Sequence, residues 1–412
     1  MRPRAILISA ALIVTLTASA SSRQPTAGWP LTVEQNTSPA GNESAQPQLS
    51  VSARGVVLSW IERTGAQATL KFAERTAGRW SEARTVASGA DWFVNWADVP
   101  SVVRLTNGTL AAHWLQKSGA DTYAYDVRLS YSKDEGRTWS PSFLPHHDGT
   151  RTEHGFASLF PLAAGMGVVW LDGRAMARPE GQKPGAGDHG HGEMSVRFAA
   201  FDAGWKQTAD EAIDARVCEC CPTAVAVTSD GPLAAYRNRG PAEERNIHVT
   251  RRENGKWTEG APVHDDGWKI AACPVNGPML RARGRDVAIA WFTAKDDQPR
   301  AFVAFSRDAG RTFGAPVRVD DVSTLGRVDV ELLPDGSAAV SYIEFADKRA
   351  QFRVRRIDRS GARSAPVTIS ALESGRASGY PRMALDGNAL VFAWTGRDGG
   401  TRVHTATAPL PR

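Results

Sequence analysis

All four cysteines of the chain fall in two short segments, Cys218-Glu-Cys220-Cys221 and Ala-Cys273-Pro-Val-Asn276. Thiols at that density have three uses. They can pair as disulfides, which an oxidising compartment favours; four cysteines allow three pairings, and sequence does not choose among them. They can bind a soft cation, copper or zinc, with His154 as a further ligand beside Cys218, Cys220, Cys221 and Cys273. They can cycle as a redox-active pair. Cys-x-Cys-Cys departs from standard zinc spacings, and vicinal cysteines rarely bridge each other comfortably. Histidines form two further groups: His146-His147-Asp148 with His154, and His189-Gly-His191 in the Gly-rich stretch PEGQKPGAGDHGHGE. The first group suits ligand contact or metal coordination, the second a flap closing over a ligand or a surface loop. Asp172-Gly-Arg174 reads as an ion pair at a turn or as part of a polar ligand site.

What would hold these residues is a repeat. An apolar run ending in an aromatic recurs at Trp60, Trp114, Trp170, Tyr236, Trp291, Tyr342 and Trp394, spaced 51 to 66 residues apart. Another short strand precedes each, and a third and usually a fourth follow. Glycines at 78, 136, 204, 255, 310 and 361 centre the hairpins between third and fourth strands. The seventh unit ends at RVHTATAPL without its fourth strand, and the segment Trp29 to Glu34 is placed to supply it. Units of this length fit propeller blades, and such a closure removes the exposed sheet edges. The expectation is an all-β propeller of seven four-stranded blades, with six as the alternative count. The charged stretch Ala209 to Arg216 is the one place where a helix is expected.

Composition agrees with a folded chain. Of 412 residues, 42% are hydrophobic and 23% charged, so long disorder is not expected. A net charge of +5 is too small for a strongly basic nucleic-acid binder. Arg2 and Arg4, the apolar run Ile6 to Thr17 and Ala18-Ser19-Ala20 have the order of a secretory signal peptide. Residues 1–20 are therefore expected to be a signal peptide and 21–412 a single propeller, exported to the periplasm or beyond. The mature chain is expected to be monomeric and without a membrane span.

Two hairpins carry a box. Ser132-Lys-Asp134-Glu-Gly136-Arg-Thr-Trp139 fits Ser-x-Asp-x-Gly-x-Thr-Trp in full, and Ser306-Arg-Asp308-Ala-Gly310-Arg-Thr-Phe313 fits it with Phe for Trp. The Asp can accept backbone N–H bonds inside the turn, and Gly takes the backbone angle that other residues resist. Boxes and blades together resemble the Asp-box, or bacterial neuraminidase repeat, proteins of the sialidase superfamily, over essentially the whole mature chain. The resemblance implies an exo-α-sialidase-type glycoside hydrolase, with arginines for a sugar carboxylate, a Tyr/Glu pair and an Asp acid/base. Asp98, in Ala97-Asp98-Val99-Pro100, stands where that family's first arginine would stand. A carboxylate there repels a substrate carboxylate. Carried over residue by residue, the resemblance points to Asp98, Glu244 and Tyr380 as catalytic candidates. Arg174, Arg237, Arg327, Arg382 and Asn276 become substrate-binding candidates.

In a propeller, loops leading into first strands and out of second strands share one end, near the axis. Every cysteine and most of the nine histidines fall on such loops. The sequence therefore supports an exported sialidase-like propeller that acts on or binds glycans or another polar ligand on its pore face. The alternative is a propeller with a Cys/His copper, zinc or redox site on that face.

Overall fold

The computed structural model describes residues 29–177, 192–397 and 399–411. The expected signal peptide and the pair His189 and His191 lie outside these residues. The seven repeat units form seven antiparallel sheets. Blade 1 runs Ser44–Ser52, Gly55–Thr64, Gln67–Thr76 and Arg79–Trp80, with Arg84–Gly89 added alongside. Blade 2 runs Ser101–Arg104, Leu110–Lys117 and Tyr125–Ser132; a single bridge between Leu129 and Phe143 stands at its fourth position. Blade 3 comprises His154–Leu162, Gly165–Asp172, Ser195–Asp202 and Gln207–Asp214. Blade 4 opens at Ala224–Thr228, blade 5 at Met279–Arg283, blade 6 at Ser323–Leu332 and blade 7 at Arg382–Asp386. First strands touch first strands all the way round, and blade 1 meets blade 7.

Blade 7 is completed from the other end of the chain. Glu34–Asn36 pairs with its third strand, Glu34 opposite Thr407. The pairing lies at and just beyond the end of the expected Trp29 to Glu34 segment; Trp29, Leu31 and Val33 instead pack against the apolar layer between blades 6 and 7. The expected helix at Ala209 to Arg216 is corrected. Gln207–Asp214 is the outer strand of blade 3, its side chains alternating between half-buried and exposed. Its exposed positions, Thr208, Asp210 and Ala212, recur every second residue, as an edge strand with one face to solvent requires.

There is no central core. Apolar clusters fill each seam between neighbouring blades, so inner strands are covered on both faces. This explains why second strands read as unbroken apolar runs rather than alternating ones. All seven repeat aromatics are buried in those seams.

The two box hairpins show how the outer turns are held. Asp134 accepts bonds from the Thr138 N–H at 2.9 Å, the Thr138 hydroxyl at 2.7 Å and the Ser132 hydroxyl at 2.8 Å. Asp308 does the same with Thr312 and Ser306. These bonds hold both carboxyls down to about 2, with burial opposing. Trp139 reaches back to meet Phe72 of blade 1 edge-on, with ring centroids 6.0 Å apart. Gly136 has φ +79°, and a Cβ there would sit 2.4 Å from the Phe72 ring. Gly136→Ala is expected to cost about 2–4 kcal/mol, from the left-handed backbone and the clash together. The check is the midpoint of denaturant unfolding; an unchanged midpoint would mean that this seam is not closely packed.

Candidate functional site

The loops feeding the first strands are tied to one another around the axis. Phe156 of blade 3 donates its N–H to Asp98 before blade 2, at 2.8 Å. Thr223 before blade 4 donates its hydroxyl to the Phe156 carbonyl at 2.8 Å. Asn276 before blade 5 accepts the Arg327 N–H of blade 6 at 2.8 Å. Tyr380 before blade 7 donates to the Val275 carbonyl at 2.5 Å and stacks near Trp96, with centroids 5.9 Å apart. The backbone here is unusual. Gln46, Phe156 and Arg327 have φ of 56°, 52° and 50° at bulges in the first strands of blades 1, 3 and 6. Val275, a β-branched residue, has φ 49°. Left-handed non-glycine residues cost of order 1–3 kcal/mol each and cluster where geometry serves function.

All four cysteines come to this mouth: the sulfurs of Cys218, Cys220 and Cys221 lie within 4.8 Å of one another, and Cys273 reaches Cys220. Cys218 Sγ lies 3.9 Å from Cys220 Sγ and 3.5 Å from Cys221 Sγ. Cys273, arriving from the next blade, contacts Cys220 and is the exposed member; Cys218 and Cys221 are buried. None is in a disulfide. The Asn276 N–H donates to Cys221 Sγ at 3.4 Å. Burial alone would push Cys221 up, yet the Cys218 and Cys220 thiols, the Arg237 guanidinium and that N–H hold it well below the usual thiol range. Cys218 goes the other way, to about 12: the Cys220 thiol lowers it, but the Cys221 thiol and burial together raise it further. Cys273 is lowered as well, by the Cys220 thiol against burial, so two proton-poor sulfurs stand beside two proton-rich ones.

His154 is not part of this group. It lies between blades 2 and 3, stacked on His146 with centroids 3.9 Å apart, and 3.4 Å from Asp126. Among the described residues no hydrogen bond or ion pair joins it to a cysteine. The reason is strand alternation. Glu153 turns toward Cys273 and Glu219, so His154, the next residue, turns away.

The catalytic candidates separate as well. Asp98 is 1% exposed, and burial raises its carboxyl to about 7 against the Phe156 N–H and the Tyr125 hydroxyl. Tyr125 donates to Glu153 at 2.7 Å. Burial, then the Asp98 and Cys273 charges, raise Glu153 to about 8 against that bond. Two carboxyls thus flank one phenol. A side chain at Gly155 would meet Asp98 at 2.2 Å and the Tyr125 ring at 2.9 Å, so only glycine leaves room for the trio. The expected pairing of Tyr380 with Glu244 does not form. Glu244 is partnered by Lys269 at 3.3 Å and the Ala242 N–H at 2.9 Å, while Tyr380 bonds to Val275.

The arginine candidates are mostly engaged inside the fold. Arg174 grips Asp172 with two bonds of 2.7 and 2.8 Å, the ion-pair reading of Asp172-Gly-Arg174. Arg237 donates to the carbonyls of Asn276, Arg245 and Phe292. Arg327 donates to Ser378, Gly379 and Gly375 and lies over Trp96. Asn276 spends its side chain on Arg327 and the Pro274 carbonyl. Arg382 differs: its Nε is buried without a partner, and burial lowers its pKa. It lines an axial cavity of about 290 Å³, with Asp98, Ser101, Phe156 and Met279. A larger cleft of about 770 Å³, lined by residues such as Arg349, Glu373 and Trp394, holds none of the cysteines.

Tyr125 and Asp126 escaped the sequence reading although a signal existed. Third strands begin at the same end where second strands finish, and these two residues open a third strand.

No protein-family model matches the chain, and no curated protein matches it. Among solved structures, the polysaccharide lyase Uly1 is 9% identical, with a TM-score of 0.51 over 89% of this chain and 90% of that one. The phage phi92 endosialidase is 11% identical, with a TM-score of 0.51 over 93% of this chain and 69% of that one. Likeness at this identity is likeness of fold: the chain is a seven-bladed β-propeller of the kind these two proteins share.

Proposed function

We propose that this propeller is an exported metal-handling protein whose working centre is the thiol cluster of Cys218, Cys220, Cys221 and Cys273, binding Cu(I) or Zn(II). One observation carries the reading. The sulfur separations of 3.5 and 3.9 Å bracket the edge of a tetrahedron drawn with metal–sulfur bonds of about 2.3 Å, which is about 3.8 Å. A disulfide would need about 2.05 Å. Arg237 and the Asn276 N–H supply the positive field that thiolates need. Protein purified without chelator is expected to carry one copper or zinc ion at this cluster, and its four thiols are expected to react with a thiol reagent only after the metal is stripped. Four oxidised cysteines without metal would end this reading.

A second reading rests on Asp98, Tyr125 and Glu153 beside the axial cavity. A carboxyl kept protonated to neutral pH can act as a general acid. With Arg382 facing the same cavity, the trio could work on a glycan, as the fold's resemblance to sialidases suggests. Release of sugar from a fluorogenic sialoside or a broad glycan panel tests it; inactivity throughout would remove it.

A further inference from the structure

The seam between blades 2 and 3 holds a second constellation, separate from the cysteines and from the axial cavity. Asp126 follows Tyr125 at the start of blade 2's third strand. His146 lies on the loop into blade 3, and His154 is the first residue of that blade. His146 is 2% exposed and His154 not at all. His154 Nδ1 stands 3.4 Å from Asp126 Oδ1, and His146 Nε2 stands 3.8 Å from the same oxygen. The three atoms lie within 4.8 Å of one another. All three are buried and make no well-directed hydrogen bond, although a protonated His154 would pair with Asp126 across their 3.4 Å contact.

Orphaned polar atoms are rare in folded proteins, because each one costs the desolvation of a group that water would have satisfied. A proton on His154 would satisfy it with Asp126 but leave His146 Nε2 unmet, whereas one shared partner meets all three. That partner must accept electron density from two imidazole nitrogens and a carboxylate oxygen, which a cation does and a water donates to only in part. The far side of the rings is arranged to match. Asp148 Oδ2 lies 2.9 Å from His146 Nδ1 and 3.3 Å from His154 Nε2. Asp148 therefore bonds the outward nitrogen of His146 and stands beside that of His154, which makes no other bond; a carboxylate so placed fixes the tautomer and raises the basicity of a metal-bound histidine. Asp148 is itself held by the Thr150 N–H at 2.9 Å. Asp172 offers an alternative grouping with His154 and Asp148, but its oxygens are already taken by Arg174 and the Trp170 indole.

We infer that Asp126 Oδ1, His146 Nε2 and His154 Nδ1 form a binding site for a divalent first-row transition-metal ion, with Asp148 as the carboxylate that orients both histidines. Two imidazoles and one carboxylate suit Zn(II), Co(II), Fe(II) or Mn(II) rather than the soft Cu(I) of a thiolate site. The separations of 3.4 and 3.8 Å approach the edge of about 3.3 Å for four ligands at about 2.05 Å. The rings now stack 7° from parallel, so loading tilts them toward each other. The ion ties blade 2 to blade 3 at a seam where blade 2 has only three strands. It stands whether or not the cysteines bind metal.

Co(II) distinguishes the two sites, since thiolate ligands give an intense charge-transfer band and nitrogen–oxygen ligands give only weak visible bands. The full mature chain with all four cysteines changed to serine is stripped with chelator and titrated with Co(II). One equivalent is expected to bind without the sulfur band and to raise the melting temperature. Asp126→Ala is expected to weaken this binding at least 100-fold, and Asp148→Asn about 10–100-fold. Asp126→Asn serves as the check that the fold survives, by its melting curve without metal. If the cysteine-free chain binds no Co(II), or if Asp126→Ala binds it as tightly as its parent, the site does not exist. A sulfur band in the wild type that vanishes with the cysteines reports on the thiol cluster alone.

Discussion

Cys220→Ser is expected to weaken binding of Zn(II) or Cu(I) about 100- to 1,000-fold. A four-ligand structural zinc site yields about 10–16 kcal/mol, so one ligand represents about 2.5–4 kcal/mol. Cys220 is the member in contact with all three other sulfurs, so its loss also separates Cys273 from the rest. Cys273→Ser should hurt less, because Cys273 is exposed and water can take its place. Competition against a chromophoric chelator reads both constants. A disulfide network predicts a different order: replacing either partner of a bond frees the other, and titration of denatured protein then shows a new thiol. Equal affinity in the wild type and Cys220→Ser would contradict the thiolate site.

Asp98→Asn is expected to stabilise the protein above neutral pH and to leave it little changed in acid. The folded carboxyl sits at about 7 against 3.8 for the free group, so the folded state holds the proton more tightly. Stability from this group is therefore fully present below about pH 4 and is lost as pH rises through 7. A rise of that size corresponds to on the order of 4 kcal/mol as an upper bound. Asn keeps the carbonyl that accepts the Phe156 N–H and cannot ionise. The groups facing it are Tyr125 and Glu153, and Glu153 is raised as well, so some pH dependence remains in the variant. Unfolding midpoints between pH 4 and 9 should fall for the wild type and fall less steeply for Asp98→Asn. Parallel curves would show that Asp98 ionises freely and would remove it as a candidate acid.

The blades were legible because their signal is a period. Trp60, Trp170 and Trp291 mark equivalent strands, and a strand covered on both faces must be apolar throughout. The stretch from Ala209 reads as either element because its charges, Asp210, Glu211, Asp214 and Arg216, follow no period that separates an edge strand from a short helix. Convergence of the cysteines was legible through topology alone: two adjacent blades each begin just after a cysteine segment. His154 went to the wrong cluster because topology assigns loops to an end, not side chains to a seam. Strand alternation sends Glu153 inward and His154 between blades. The arginines failed differently. Arg237 and Arg327 stand on the pore loops as expected, yet carbonyl oxygens of neighbouring loops use up their donors. Such backbone partners leave no trace in the sequence.

X-ray absorption at the metal edge, on protein purified without chelator, tests the central claim most directly. The account predicts a shell of sulfur neighbours at about 2.3 Å around copper or zinc. A chain without metal, lighter by the hydrogens of two disulfides in its intact mass, would contradict it.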